Sequence, residues 1–419
     1  MIGEILAIGN ELTSGRVLNT TSRFAAGQLF AAGHEIVAMA TIPDTPAEIG
    51  AALNRAIKRS DFVIVTGGLG ATSDDLTNEA VGRALDRPIE FHQDVFEKIT
   101  ARLPKTDGQD TRHLEKLAWL PAGAEILNPD ASMAGYLLIQ DDKPIFLLPG
   151  VPHEMKELLA ERVIPRLALW KKGGDAKHVR QKIYKVFGLG ETEINHRLDQ
   201  LESNDERIRI GYYPVFPEVH LSLSVIDESD TGTGSLFAQY DREVLVLLND
   251  SFFGIDEDTM ASVVGRILVE QGKTLATAES CTGGLIAHKI TGVPGSSDYF
   301  AGGVVAYSND LKEQFLGVKH SLLAEYGAVS SQAARAMADG IRTRTGADIS
   351  VSVTGIAGPT GDTAEKPVGT VFLGLSTAHE TIAIPCRFSG SRWQIQELTA
   401  ATALDYVRRL QLNKPLQDS

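Results

Sequence analysis

Phe62-Val63-Ile64-Val65-Thr66, followed at once by Gly67-Gly68-Leu69-Gly70-Ala71-Thr72-Ser73-Asp74-Asp75, is an apolar run without alternation that stops at a glycine-rich loop. A strand solvated on one face alternates apolar and polar residues; a run that is apolar throughout is covered on both faces, as in a parallel sheet flanked by helices. The surrounding sequence keeps that pattern. Ile5-Leu6-Ala7-Ile8 reads as a strand, 19–32 as a helix, 34–42 as a strand and 47–58 as a helix. Farther along, Ile145-Phe146-Leu147-Leu148 reads as another strand and 152–170 as a closing helix. Strands and helices in alternation predict an α/β domain with a parallel sheet over residues 1–170.

Lys171-Lys172-Gly173-Gly174-Asp175 then breaks the pattern as a linker. Residues 177–255 read as a small α+β unit: strands over 181–187, 208–213 and 219–226, a helix over 191–201, and another after Thr231-Gly232-Thr233-Gly234. A third unit, 257–415, alternates again, with strands at 274–278, 300–307, 348–354, 368–375 and 380–386 and a last helix over 392–410. The fold class expected is therefore two separate α/β domains joined by a small α+β domain, an economical use of 419 residues.

Composition narrows the function. The net charge of −14 opposes attraction to nucleic acid or to an anionic membrane surface, both of which need concentrated Lys and Arg. The chain has no run of about 18 apolar residues and no basic-then-apolar leader, so a cytoplasmic protein is expected. Two cysteines, Cys281 and Cys386, far apart, support neither a disulfide framework nor a zinc site.

Two segments carry chemistry. In Thr274-Leu275-Ala276-Thr277-Ala278-Glu279-Ser280-Cys281-Thr282-Gly283-Gly284 a short strand runs into hydroxyl residues, a thiol and two glycines, and then into a helical pattern. This places Ser280 or Cys281 at a helix N-terminus, where unpaired N–H groups and the helix dipole would stabilise an oxyanion or a phosphate; a plain helix cap by Ser280 and Thr282 is the other reading. A serine needs a base, and Lys312 follows Tyr307 just beyond the strand ending in Ala306. Thr354-Gly355-Ile356-Ala357-Gly358-Pro359 and Ser391-Arg392 complete a rim on one sheet edge, Arg392 being suited to a phosphate or carboxylate. In the first domain the loop through Gly67, Gly68, Gly70 and Thr72 suits phosphate, and Asp74 and Asp75, with Glu11, Asp44 and Glu154 just beyond other strands, suit a hard divalent cation such as Mg²⁺. Neither a P-loop nor a dinucleotide fingerprint is present.

Residues 257–413 resemble the C-terminal, nicotinamide mononucleotide deamidase (PncC-like) domain of the competence/damage-inducible protein A (CinA) family. The matching segments are Ala278-Glu279-Ser280-Cys281-Thr282-Gly283-Gly284, Tyr307-Ser308-Asn309, Gly355-Ile356-Ala357-Gly358-Pro359 and Lys366-Pro367-Val368-Gly369, in order. The first half resembles the molybdopterin-binding (MoaB/MogA-like) fold as it occurs in that family, and Phe187-Gly188-Leu189-Gly190-Glu191 marks its KH-like middle domain. Asp362 and Ala71 depart from the family pattern, standing where a glycine and a proline are usual.

The resemblance implies two activities of pyridine nucleotide salvage. One is hydrolysis of nicotinamide mononucleotide to nicotinate mononucleotide and ammonia, needing no cofactor. Ser280 would be its nucleophile, Lys312 its base and Tyr307 a proton relay, with Thr282, Gly283, Gly284, Thr354, Gly355 and Arg392 around the substrate. The other is metal-dependent hydrolysis of ADP-ribose to AMP and ribose 5-phosphate, with Gly67, Gly68, Gly70 and Thr72 at the substrate and Asp44, Asp75, Asp74 and Glu11 toward the metal. A homodimer is expected. Two other readings stay open: a non-catalytic pterin or nucleotide module, and an interaction factor in competence or recombination.

Overall fold

The structure is a computed structural model that describes residues 1–101, 112–128, 135–170, 178–202 and 205–416. The expected linker at 171–175 lies outside the described residues. By its internal contacts the chain forms two compact units, 1–181 with 225–237 and 182–224 with 238–419. Among the described residues no helix is long and apolar enough to cross a membrane.

The first unit is built on a six-stranded sheet in the order Glu35–Ile42, Ile2–Ile8, Phe62–Thr66, Lys143–Leu148, Tyr136–Gln140, Glu125–Ile126. Four strands are parallel, as expected. The last two are antiparallel, so the sheet is mixed. The reason lies at Asp141-Asp142, whose φ angles of 49° and 60° make a two-residue turn; so tight a connection joins only antiparallel neighbours. Phe62 to Thr66 are all buried, which explains the unbroken apolar run, whereas the edge strand Glu35–Ile42 alternates. The closing helix is not continuous: Pro152–Leu158 and Ile164–Trp170 flank a π turn at Leu159–Val163. Pro165 has no N–H to give and would press on the carbonyl of Glu161 in a regular helix; widening the turn relieves both problems.

The small sheet runs Ile208–Val215, Glu218–Asp227, His178–Val186, Phe252–Ile255. The fourth strand was not legible from the sequence. The helix expected after Thr231-Gly232-Thr233-Gly234 starts earlier and spans Asp230–Leu248. Ser229 explains the earlier start: its hydroxyl accepts the Gly232 N–H at 3.0 Å, while Thr233 donates to the Ser229 carbonyl at 2.7 Å. A supported first turn tolerates two glycines.

The C-terminal sheet runs Phe300–Val305, Leu275–Glu279, Ile349–Gly355, Thr370–Ser376, Thr381–Arg387. The first three strands are parallel and the last two antiparallel. Consequently the C-terminal ends of the first three share one edge with Thr370 and Arg387. Helix Ser331–Thr345 lies tightly on one face: Ser350 and Ser352 donate to the carbonyls of Ala338 and Ala334, each at 2.6 Å, and a Cβ at Gly374 would come 2.4 Å from the Ala334 carbonyl oxygen. The last helix, Arg392–Gln411, is anchored by a buried Asp405 that pairs with Arg408 and Arg409, both at 2.6 Å. Arg408 also donates to the carbonyls of Asp250 and Phe252 at 2.8 and 3.2 Å, so the charges are buried with their hydrogen bonds made.

Candidate active site

Strand Leu275–Glu279 delivers Ser280 to the shared edge, where the chain turns through Gly283 and Gly284 into helix Leu285–Thr291. Both glycines have positive φ, 64° and 99°, the region that favours a residue without a Cβ. The donors at the helix start are not free for a ligand, contrary to the expectation from sequence. Glu279, 1% exposed, accepts the N–H groups of Gly284, Ile286 and Ala287 at 3.0, 3.0 and 2.8 Å. The Gly283 N–H goes to the Ser280 carbonyl at 3.1 Å. The helix dipole is thus answered by a carboxylate of the protein itself, and the turn is clamped rather than open. Of the turn residues 281–283, Cys281 and Thr282 each keep an N–H with no partner among the described residues, and the buried Thr282 hydroxyl has none either.

The elbow meets its base. Lys312, in helix Asn309–Leu316, is 1% exposed and its Nζ lies 3.1 Å from Ser280 Oγ. The same amine donates to the carbonyls of Ala306 at 2.8 Å and Tyr307 at 3.3 Å. Burial pushes the Lys312 amine below its ordinary value, with only the Cys281 group opposing. A neutral amine has two N–H donors and one lone pair. In that form the two carbonyls take the donors and the lone pair faces the Ser280 hydroxyl; in the ammonium form Nζ donates to all three oxygens. Cys281, the rival nucleophile, is buried, and burial with Glu279 nearby pushes its thiol up to about 12.

Tyr307 and Arg392 meet at the rim. Arg392 opens the last helix, held by a reciprocal cap between Ser391 and Gln394, and donates to the Tyr307 hydroxyl at 3.1 Å and to the Gly358 carbonyl at 2.7 Å. Gln396, one turn on, donates to the Cys281 carbonyl at 2.7 Å, so the last helix also braces the elbow. Thr354 is buried and gives its hydroxyl proton to the Ala328 carbonyl at 2.7 Å. Gly355 ends the neighbouring strand, where a Cβ would come 2.8 Å from the Thr370 carbonyl oxygen. Glu279 and Gln396 were missed in the sequence. A carboxylate ending an apolar strand just before the small-residue turn was the available signal for Glu279; nothing local marked Gln396.

In the first unit, Gly67 and Gly68 have φ of 100° and 66°, and a Cβ at either would come 2.1 Å from Ile8 O or Thr77 Oγ1. Thr77 closes the loop by donating to the Gly67 carbonyl at 2.9 Å. Asp75 accepts the Thr72 N–H at 2.9 Å and the Thr72 hydroxyl, and lies against Gly70; Lys116 donates to the Thr72 carbonyl. Asp44 accepts the Asn10 N–H at 2.7 Å. Its carboxyl is raised first by burial and then by the charges of Glu11, Asp74 and Asp75, each of which acts on Asp44. Glu154 Oε2 is buried without a hydrogen-bond partner. Among the described residues no three His, Cys, Asp or Glu side chains are gathered as a metal cage.

Comparison with known proteins fits this layout. The profile described as "Probable molybdopterin binding domain" matches residues 4–169, "Damage-inducible protein CinA KH domain" 181–254, and "CinA C-terminal domain" 257–411. A CinA-like protein of Desulfotalea psychrophila is 53% identical over 408 residues, covering 97% of this chain and 98% of its own. A putative competence-damage inducible protein of Caldicellulosiruptor saccharolyticus is 36% identical over 414 residues, 99% of this chain and 100% of its own. Among solved structures, the competence/damage inducible protein CihA from Agrobacterium tumefaciens is 40% identical, covering 36% of this chain and 96% of that one with a TM-score of 0.35. With three domains matched in order and relatives alike from end to end, the chain belongs to the CinA family.

Proposed function

We propose that the C-terminal domain is an amidohydrolase that converts nicotinamide mononucleotide to nicotinate mononucleotide and ammonia. The observation that carries this reading is the buried Lys312 amine, 3.1 Å from Ser280 Oγ, with its two other contacts on carbonyl oxygens. Ser280 passes its proton to Lys312 as Oγ attacks the carboxamide carbon. The Cys281 and Thr282 N–H groups are the backbone donors available to the oxyanion. As the C–N bond breaks, Lys312 returns the proton and ammonia leaves; water then attacks the acyl-serine, Lys312 taking and returning a proton again, and nicotinate mononucleotide departs. Arg392 suits the substrate phosphate. Incubating the full chain with nicotinamide mononucleotide should release ammonia and nicotinate mononucleotide in equal amounts. A folded protein that releases neither overturns the reading.

For the N-terminal domain the charges of Glu11, Asp74 and Asp75 felt at Asp44, together with the Gly67-Gly68 loop, support a second activity, hydrolysis of ADP-ribose to AMP and ribose 5-phosphate. Oxygen donors of this kind suit Mg²⁺, an ion commonly held by one or two carboxylates together with substrate phosphates, so a preassembled cage is not required. Asp44 and Asp75 would hold it, and it would neutralise charge on the pyrophosphate. AMP formation should stop when a chelator is added and return with Mg²⁺; AMP formation undiminished in excess chelator would discard the metal.

A further inference from the structure

Strands Ile208–Val215 and Glu218–Asp227 of the small sheet are neighbours, and the turn between them carries Phe216-Pro217. Phe216 is 42% exposed and Trp393 58%, yet their rings face each other, centroids 5.3 Å apart and planes tilted by 39°. Pro217 of the same turn lines a cavity of about 310 Å³ with Phe388, Leu398 and Tyr406, so the turn faces the last helix across that cavity as well as meeting Trp393 in its first turn. Trp393 directly follows Arg392, the residue that joins the Gly358 carbonyl to the Tyr307 hydroxyl. From Tyr307 the path continues to Lys312 and Ser280.

We infer that Phe216 is a positioning residue for the phosphate-binding end of the active site: the small domain holds Trp393, and through it the first turn of the last helix, so that Arg392 is presented to the phosphate of a mononucleotide. The inference rests on the deamidase reading for its substrate. Two half-exposed rings make a stacked contact of modest worth, and the contact is made where the helix meets the rim. An Arg held in place loses less freedom on binding an anion, so the effect falls on affinity rather than on the chemical step.

The test uses the full chain with Phe216→Ala and Phe216→Tyr. Phe216→Ala should raise KM for nicotinamide mononucleotide about three- to tenfold with kcat within about twofold, and Phe216→Tyr should restore KM. With nicotinamide riboside, which has no phosphate, Phe216→Ala and the unaltered protein should coincide, a result that a general loss of stability would not give. An unchanged KM, a fall in kcat alone, or an equal loss with the riboside overturns the proposal. Calorimetric binding of inorganic phosphate separates this from the deamidase reading: if the chain releases no ammonia, weaker phosphate binding by Phe216→Ala still supports the positioning role, and equal binding overturns it.

Discussion

Ser280→Ala is expected to lower ammonia release from nicotinamide mononucleotide by at least about three orders of magnitude, because no other group in the elbow can take over the attack. The nearest alternative is Cys281. Its thiol, pushed up to about 12, holds roughly one part in 10⁵ as thiolate at neutral pH. It also lacks the amine contact that Ser280 has. Cys281→Ala should therefore keep activity within about fivefold of the unaltered protein, the small loss coming from a smaller buried side chain in the turn. Thermal unfolding run beside the rates distinguishes lost chemistry from lost fold, since Ser280→Ala removes one hydroxyl and leaves the Glu279 clamp intact. If Ser280→Ala stays active and Cys281→Ala does not, the thiol is the nucleophile and the Ser280–Lys312 pair is merely structural.

What the sequence made legible follows from the range of the forces involved. Apolar runs such as Phe62–Thr66 are set by burial on both faces, a property of each residue's own surroundings, so the α/β elements could be read directly. Ser280 and Lys312 could be named because each ends a strand or begins the helix after one, and parallel strands bring such ends together. The use made of the helix start was not legible. Whether the N–H groups of Gly284, Ile286 and Ala287 face a ligand or Glu279 depends on one side-chain rotamer, which spacing does not encode. Phe216 lies still further from local pattern: its partner Trp393 is in a different domain, and nothing in the Val215-Phe216-Pro217 turn points there. The antiparallel hairpin at Asp141-Asp142 was missed because neither residue is the glycine that usually marks a left-handed turn.

Lys312→Met should also be nearly inactive, losing about 10²- to 10⁴-fold in kcat/KM, the usual worth of a positioned base. Met fills the same buried space but offers no lone pair. Lys312→Arg is the sharper variant, because a guanidinium keeps its proton at every accessible pH and brings a planar fork where a point amine sat. It should be no more active than Lys312→Met. The pH profile adds a sign. The amine works when neutral, and burial lowers its titration below that of a free lysine, so kcat/KM should rise with pH through that lowered value and then level off. The rising limb therefore lies on the neutral side of the ordinary lysine range. Were Lys312 instead a cation that steadies the oxyanion, activity would fall as pH rose through the same value and Lys312→Arg would retain much of it. A profile that rises, with an inactive arginine variant, assigns the proton transfer to Lys312; a falling profile with an active one removes it.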